Sequence, residues 1–120
     1  MATILVVEDN ELNITLFKDV LGFHKYNVLI SESGEKGYQM AVQNRPDLVL
    51  LDIQLPDIDG YEVAKRLRAN SDTAQIPIIA VTSYAMPEDK ERCKEAGCSD
   101  FISKPINFRD LVDTIEKYLK

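Results

Sequence analysis

The chain has no tryptophan, one histidine (His24) and two cysteines, Cys93 and Cys98. A structural zinc site takes about four nitrogen or sulfur ligands, more than this inventory offers. Two cysteines also fall short of the disulfide framework of a small secreted domain, so they read as two reduced thiols on or near a helix. No apolar run approaches the roughly 20 residues that span a bilayer. The N-terminus lacks a basic segment followed by a long apolar one, so it does not read as a signal peptide. Basic runs are missing too. Against 20 Asp and Glu stand 14 Lys and Arg, a net charge of −6. An acidic surface repels phosphate backbones, which argues against direct nucleic-acid binding, and nothing supports membrane insertion. The cytoplasm is the expected compartment.

What remains is enough for one core. The chain has 120 residues and 45% hydrophobic content, which fits a single domain over residues 1–120. There are no repeats, low-complexity segments or linkers. Four short apolar runs each end at a charged or hydroxyl residue: Thr3 to Val7 before Glu8-Asp9, Leu48 to Leu51 before Asp52, Ile76 to Val81 before Thr82, and Phe101 to Ser103 before Lys104-Pro105. Aliphatic runs of this length read as strands buried on both faces, as in parallel sheets.

Helical patterns fall between the strands. Leu12, Leu16, Phe17 and Val20 are expected to form the inward face of the first helix. Asn27 to Ser31 reads as the second strand, and Asp100 to Ser103 as a short fifth one. Ser33 suits the cap of a second helix bearing Tyr38, Ala41 and Val42, which Arg45-Pro46 stops. Val63, Ala64 and Leu67 face inward from a third helix after the Pro56–Gly60 loop. Pro87 suits the first turn of a fourth helix, and Gly97 its end. That helix is weakly apolar, with Met86, Cys93 and Ala96 its candidates for burial, so it is a candidate for movement or partner binding. The last helix packs through Leu111, Ile115 and Leu119, with Val112 and Tyr118 beside them. Five β/α alternations imply an α/β fold, doubly wound, with a parallel sheet and right-handed crossovers.

In open α/β sheets ligands bind outside the carboxyl ends of the strands. Three carboxylates (Glu8, Asp9, Asp52), one hydroxyl (Thr82) and one ammonium (Lys104) are therefore expected along one edge. Taken singly, each acid could be a helix cap or a solvated loop residue; Asp9 and Asn10 both precede a helix. Together they suit a magnesium ion, which takes hard oxygen ligands, and a phosphoryl group. Asp52 is the candidate nucleophile, since a carboxylate can form an acyl phosphate. Magnesium, Lys104 and Thr82 would share the negative charge that spreads over the phosphoryl oxygens. Proline after Lys104 can fix a tight turn, with a cis bond as one option.

These segments resemble the receiver domain of two-component response regulators. The resemblance rests on Glu8-Asp9 after TILVV, Asp52 in LVLLDIQLPDIDG, Thr82 in IAVTSYAM and Lys104-Pro105 in FISKP, and covers essentially the whole chain. VEDNELN and LDIQLP are most like single-domain members and the receivers of hybrid kinases. The resemblance implies a flavodoxin-like (βα)5 fold with strand order 2-1-3-4-5.

It also implies roles. Asp52 is the phosphoacceptor for a phosphohistidine on a histidine kinase or histidine phosphotransferase. Asp9, Asp52 and the Gln54 backbone carbonyl bind Mg2+, which Mn2+ could replace, and Glu8 acts largely through water. Lys104 pairs with Asp52 and then with the phosphoryl group, and Thr82 moves toward it. Phe101 occupies the aromatic switch position, where many members have tyrosine. Gln54 and Tyr84 flank the path of the hydrolytic water, with Tyr84 expected to occlude it and prolong the mark. Asn10, Asn13, Ile14 and Ile106 are candidates for docking the phosphodonor. Ile14 lies roughly opposite the expected inward face of its helix.

Output would pass to a separate effector protein through the fourth helix, fifth strand and fifth helix. A start at Met1 and an end at Lys120 just past the last helix favour a stand-alone regulator over a receiver cut from a hybrid kinase. A binding module that works without phosphorylation is a further alternative, disfavoured because every reactive group is present. A haloacid-dehalogenase-like phosphatase, and enzymatic turnover of an outside substrate generally, is disfavoured as well. Its D-x-D spacing occurs only at Asp57-Ile58-Asp59, after Pro56 in a loop. The same loop lacks the remaining ligands of a calcium site. His24 has no neighbours that would shape a phosphodonor site and reads as a surface residue.

Overall fold

Each aliphatic run forms one strand of a single sheet, because a run apolar at every position can bury both of its faces. The computed structural model describes residues 1–83 and 86–119. Its strands are β1 (Thr3–Val7), β2 (Asn27–Ser31), β3 (Leu48–Asp52), β4 (Ile78–Thr82) and β5 (Asp100–Ser103). They alternate with α1 (Glu11–Phe23), α2 (Gly34–Asn44), α3 (Gly60–Ala69), α4 (Pro87–Ala96) and α5 (Phe108–Leu119). All neighbouring strands are parallel, in the order β2-β1-β3-β4-β5.

Alternation along each strand divides the core in two. Leu5 and Val7, Val49 and Leu51, Ile78 and Ala80 face α2, α3 and α4, where they meet Ala41, Val63, Ala64, Leu67, Cys93 and Ala96. Ile4 and Val6, Leu48 and Leu50, Ile79 and Val81 face α1 and α5, where they meet Phe17, Leu21, Leu111 and Ile115. The expected caps are present. The Ser33 hydroxyl accepts from Lys36 N–H, Pro87 opens α4, and Gly97 ends it in the left-handed region.

Two burial expectations need correction. Leu12 is 68% exposed, and the buried face of α1 is Phe17 and Leu21, with Leu16 and Val20 only half-buried. The helix is turned so that Phe17 meets Phe108 of α5 edge to face, with ring centroids 6.1 Å apart. That contact sets Leu12, more than a turn away, on the outside, and it leaves Ile14 half-buried rather than opposite the packed face. Met86 is 59% exposed, because it caps α4 from outside the first turn; Cys93 and Ala96 alone are buried on that helix.

Candidate functional site

The strand register sets the site. β1 lies beside β3 with Val7 opposite Leu51, β3 beside β4 with Asp52 opposite Val81, and β4 beside β5 with Thr82 opposite Ser103. Residues at or just after each carboxyl end therefore meet along one edge. Glu8, Asp52 and Thr82 are buried, Lys104 is half-buried and Asp9 is exposed. Glu8, Asp9 and Asp52 each offer a carboxylate oxygen within 4.8 Å of the others.

Glu8 is held more tightly than its neighbours. Its backbone N–H donates to the Ser31 carbonyl at 2.9 Å, extending the β1–β2 ladder one residue. Its Oε2 accepts from the Asp9 and Asn10 backbone N–H groups at 3.1 Å each. Its Oε1 lies 3.4 Å from Lys104 Nζ and accepts from Asn13 Nδ2 at 3.4 Å. Desolvation, and then a hydrogen bond shared with Asp52, push the Glu8 carboxyl up to about 7; the Asn10 N–H and Lys104 oppose this only in part. Two buried carboxyls and one ammonium leave room for another positive charge, which is the donor set of a hard cation.

Asp52 is gripped from two sides. Its Oδ1 accepts from Gln54 N–H at 3.0 Å, and its Oδ2 from Lys104 Nζ at 3.2 Å. Lys104 is placed by its own backbone, whose N–H donates to the Thr82 carbonyl at 2.8 Å. The Lys104–Pro105 bond is cis. Glu8, Asp9, Asn10, Asn13, Asp52, Gln54 and Lys104 line one open cleft.

The remaining expected residues are scattered around this centre. Asn10 is exposed and caps α1, its Oδ1 accepting from Asn13 N–H at 3.0 Å. Asn13 turns its side chain inward to Glu8. Ile106 is half-buried and packs on the α1/α5 side of the core, whereas Phe101 packs on the α4 side. Lys90 of α4 lies 5.8 Å from the centre of the Phe101 ring. Tyr84 lies outside the described residues.

Sequence patterns missed several supports. Asp57 accepts from the backbone N–H groups of Gly34 and Glu35 at 2.8 and 2.9 Å, pinning the β3–α3 loop to the start of α2. Those bonds hold its carboxyl below the usual carboxylate range. Arg92 of α4 lies 4.2 Å over the Tyr61 ring and 3.6 Å from Asp59. The Asp57 anchor had a sequence signal, an acid in a Pro/Gly-bounded loop, but no local pattern names its partner.

The sequence and the parallel 2-1-3-4-5 sheet have known counterparts. The response regulator receiver domain family model matches residues 4–116, and the chain belongs to that family. It is 43% identical over 117 residues to the polar-differentiation response regulator DivK of Brucella anthropi, a match covering 98% of this chain and 95% of that protein. Among solved structures it is similar to the receiver domain of sensor histidine kinase PA1611 from Pseudomonas aeruginosa PAO1. That structure has a magnesium ion coordinated in the active site cleft; the TM-score is 0.91 at 33% identity, covering 98% of this chain and 97% of that one. The chemotaxis protein CheY4 of Vibrio cholerae superposes with a TM-score of 0.93 at 27% identity, covering 98% of each chain. Among the described residues no helix is long and apolar enough to cross a membrane.

Proposed function

We propose that the chain is a stand-alone response regulator that takes a phosphoryl group from a phosphohistidine donor onto Asp52. The observation that carries this reading is the convergence of Glu8, Asp9, Asp52, Thr82 and Lys104 from four strand ends. Asp52 is buried yet opens to the cleft, and Lys104 Nζ at 3.2 Å orients its carboxylate. In the transfer an Asp52 oxygen bonds to phosphorus, the histidine nitrogen leaves, and an acyl phosphate results. Lys104 and the Thr82 hydroxyl stabilise the equatorial oxygens. Asp9, Asp52 and the Gln54 carbonyl would hold Mg2+, or Mn2+ in its place, with Glu8 acting through water. The bound cation would neutralise charge on the carboxylates and on the transferring group. Catalysis is limited to the chain's own phosphorylation and its reversal.

Movement of Thr82 toward the phosphoryl group opens space for Phe101, and α4, β5 and α5 carry the change to a protein effector. The donor docks on the cleft rim, at Asn10, Asn13, Ile14 and Ile106. Gln54 and Tyr84, two residues after Asp52 and two after Thr82 in the chain, would set the lifetime of the acyl phosphate. The net charge of −6 supports protein partners over nucleic acid and fits a cytoplasmic setting.

The test is covalent labelling. With acetyl phosphate and Mg2+, the protein should gain one phosphoryl group, trapped on Asp52 by borohydride reduction. Asp52→Ala and EDTA should each abolish labelling. Equal labelling of wild type and Asp52→Ala would sink the assignment.

A second expectation concerns pH. The Glu8 carboxyl titrates near 7 in the fold and near 4.5 in its ordinary state. Its contribution is therefore fully present below about 4.5 and is lost as pH rises through about 7. The metal-free protein should lose on the order of 2 kcal/mol across that window. Deprotonated Glu8 favours the cation, so saturating Mg2+ should flatten the loss, and Mg2+ affinity should rise with pH over the same range. Urea melts at pH 5, 6.5 and 8, with and without Mg2+, check both. A metal-free midpoint that climbs with pH would refute the Glu8 assignment.

A further inference from the structure

The β3–β4 ladder stops in an unusual way. Ile53 N–H donates to the Val81 carbonyl at 3.1 Å. In a parallel ladder the next rung would run from Ser83 N–H to the Ile53 carbonyl. That carbonyl is engaged instead by Gly60 N–H at 2.9 Å, where the chain turns into α3. The Gln54 side chain takes up the displaced donor: its Oε1 accepts from Ser83 N–H at 3.3 Å. The backbone N–H of the same residue donates to Asp52 Oδ1 at 3.0 Å. Gln54 therefore holds the phosphoacceptor with its main chain and the first residue beyond Thr82 with its side chain.

From this bridge we infer that the Gln54 carboxamide is a resting-state placeholder, occupying the Ser83 N–H until a phosphoryl oxygen on Asp52 displaces it. The inference rests on the proposed phosphorylation of Asp52. Ser83 directly follows Thr82, and Thr82 ends the strand beside Asp52, so a group built on Asp52 brings anionic oxygens to this donor. A hydrogen bond to an ionised acceptor is roughly twice as strong as one to a neutral carbonyl, so the exchange runs forward. Breaking the Gln54 bond costs part of the gain. Gln54 thus acts as a positioning residue that sets the threshold for switching and ties Asp52 to the start of the segment leading into α4. Its role lies in the resting state and is separate from any orientation of the hydrolytic water.

The experiment compares wild type, Gln54→Met and Asp52→Asn by amide NMR, before and during titration with beryllofluoride and Mg2+. Methionine keeps the length of the side chain and removes the acceptor. In the resting protein, the Ser83 amide proton of Gln54→Met should move upfield as the bond is lost. Because Ser83 is exposed and water replaces the acceptor, the gain in beryllofluoride affinity should be modest, about two- to fivefold. An unchanged resting Ser83 amide, or an affinity equal to or weaker than wild type, overturns the placeholder role. If wild type and Asp52→Asn respond alike to beryllofluoride, the phosphoacceptor assignment fails, and the resting Ser83 amide still decides whether Gln54 holds that donor.

Discussion

Asp52→Asn is expected to lose all phosphoryl labelling and yet be more stable than wild type without Mg2+ at pH 8. Loss of labelling follows from the chemistry: a carboxamide oxygen does not form an acyl phosphate under these conditions. The gain in stability follows from the crowding. Glu8 and Asp52 are 1% and 3% exposed, and among the described residues only Lys104 supplies a cation between them, at 3.4 and 3.2 Å. Burial and the neighbouring Asp52 already push the Glu8 carboxyl up to about 7, so at pH 8 Glu8 is charged at a desolvation cost beside a second buried carboxyl. Asparagine removes one of those charges and retains an oxygen that accepts from Gln54 N–H. Lys104 keeps Glu8 as its partner. The expected gain is on the order of 1–3 kcal/mol, the equivalent of relieving a shift of one to two pKa units on a buried carboxyl. It should shrink at pH 5, where protonation of Glu8 already relieves the repulsion in wild type, and again when Mg2+ stabilises wild type but binds the variant poorly. A variant less stable than wild type at pH 8 without Mg2+ would mean that the Lys104 pair outweighs the repulsion.

The same crowding makes the site legible in sequence. Acidic residues directly after a strand buried on both faces have nowhere to go except the sheet edge, so Glu8, Asp52, Thr82 and Lys104 could be placed together before any coordinates. β1, β2 and β5 fall on the expected residues, because polar residues bound each short apolar run on both sides. The contacts that tune the site are a different matter. Asn13 reaches Glu8, Gln54 reaches Ser83 and Asp57 reaches the start of α2, and in each case only the backbone path brings the partners together. The face of α1 shows the same limit. Leu12, Leu16 and Val20 form a regular i, i+4 line, but Phe17 and Leu21 are buried, because the Phe108 ring on α5 chooses among stripes that the α1 sequence leaves nearly equal. Arg68 shows it most plainly. On the sequence it is one more basic residue in the last turn of a helix. In the fold it donates to the carbonyls of Gly97, Ala74 and Ile76 at 2.8, 2.9 and 2.6 Å, joining the α4–β5 and α3–β4 loops, which no local pattern relates.

Gly60→Ala is expected to be strongly damaging for a change of one methyl group. Gly60 begins α3 directly behind β3, and its N–H donates to the Ile53 carbonyl at 2.9 Å. A Cβ there would lie 2.5 Å from Ile53 Cα and 2.6 Å from the Asp52 carbonyl oxygen. Both are backbone atoms of the segment that carries Asp52, so no rotamer change relieves the overlap. Either α3 lifts off the sheet or the end of β3 moves, and a shift at Ile53 also disturbs its bond to the Val81 carbonyl. Gly34 is a useful contrast. A Cβ there would meet Ile58 Cγ1 at 2.6 Å and Val63 Cγ2 at 2.9 Å, which are side-chain atoms able to give way. Gly22 is the opposite case: it lies in the last turns of α1 with nothing within 4 Å of the added carbon. The expected order follows from these distances. Gly60→Ala should lose about 2–4 kcal/mol, as overpacking against rigid neighbours does. Gly34→Ala should lose less, and Gly22→Ala should gain about 0.5–1 kcal/mol from its better helix propensity. Gly60→Ala should also label more slowly on Asp52 under conditions where it remains folded, because the overlap displaces the main chain that aims the carboxylate. Urea melts of the three variants, with labelling rates on the folded fraction, provide the measurement. If Gly60→Ala stayed within about 0.5 kcal/mol of wild type, the close approach of α3 to β3 would not be what holds Asp52 in place.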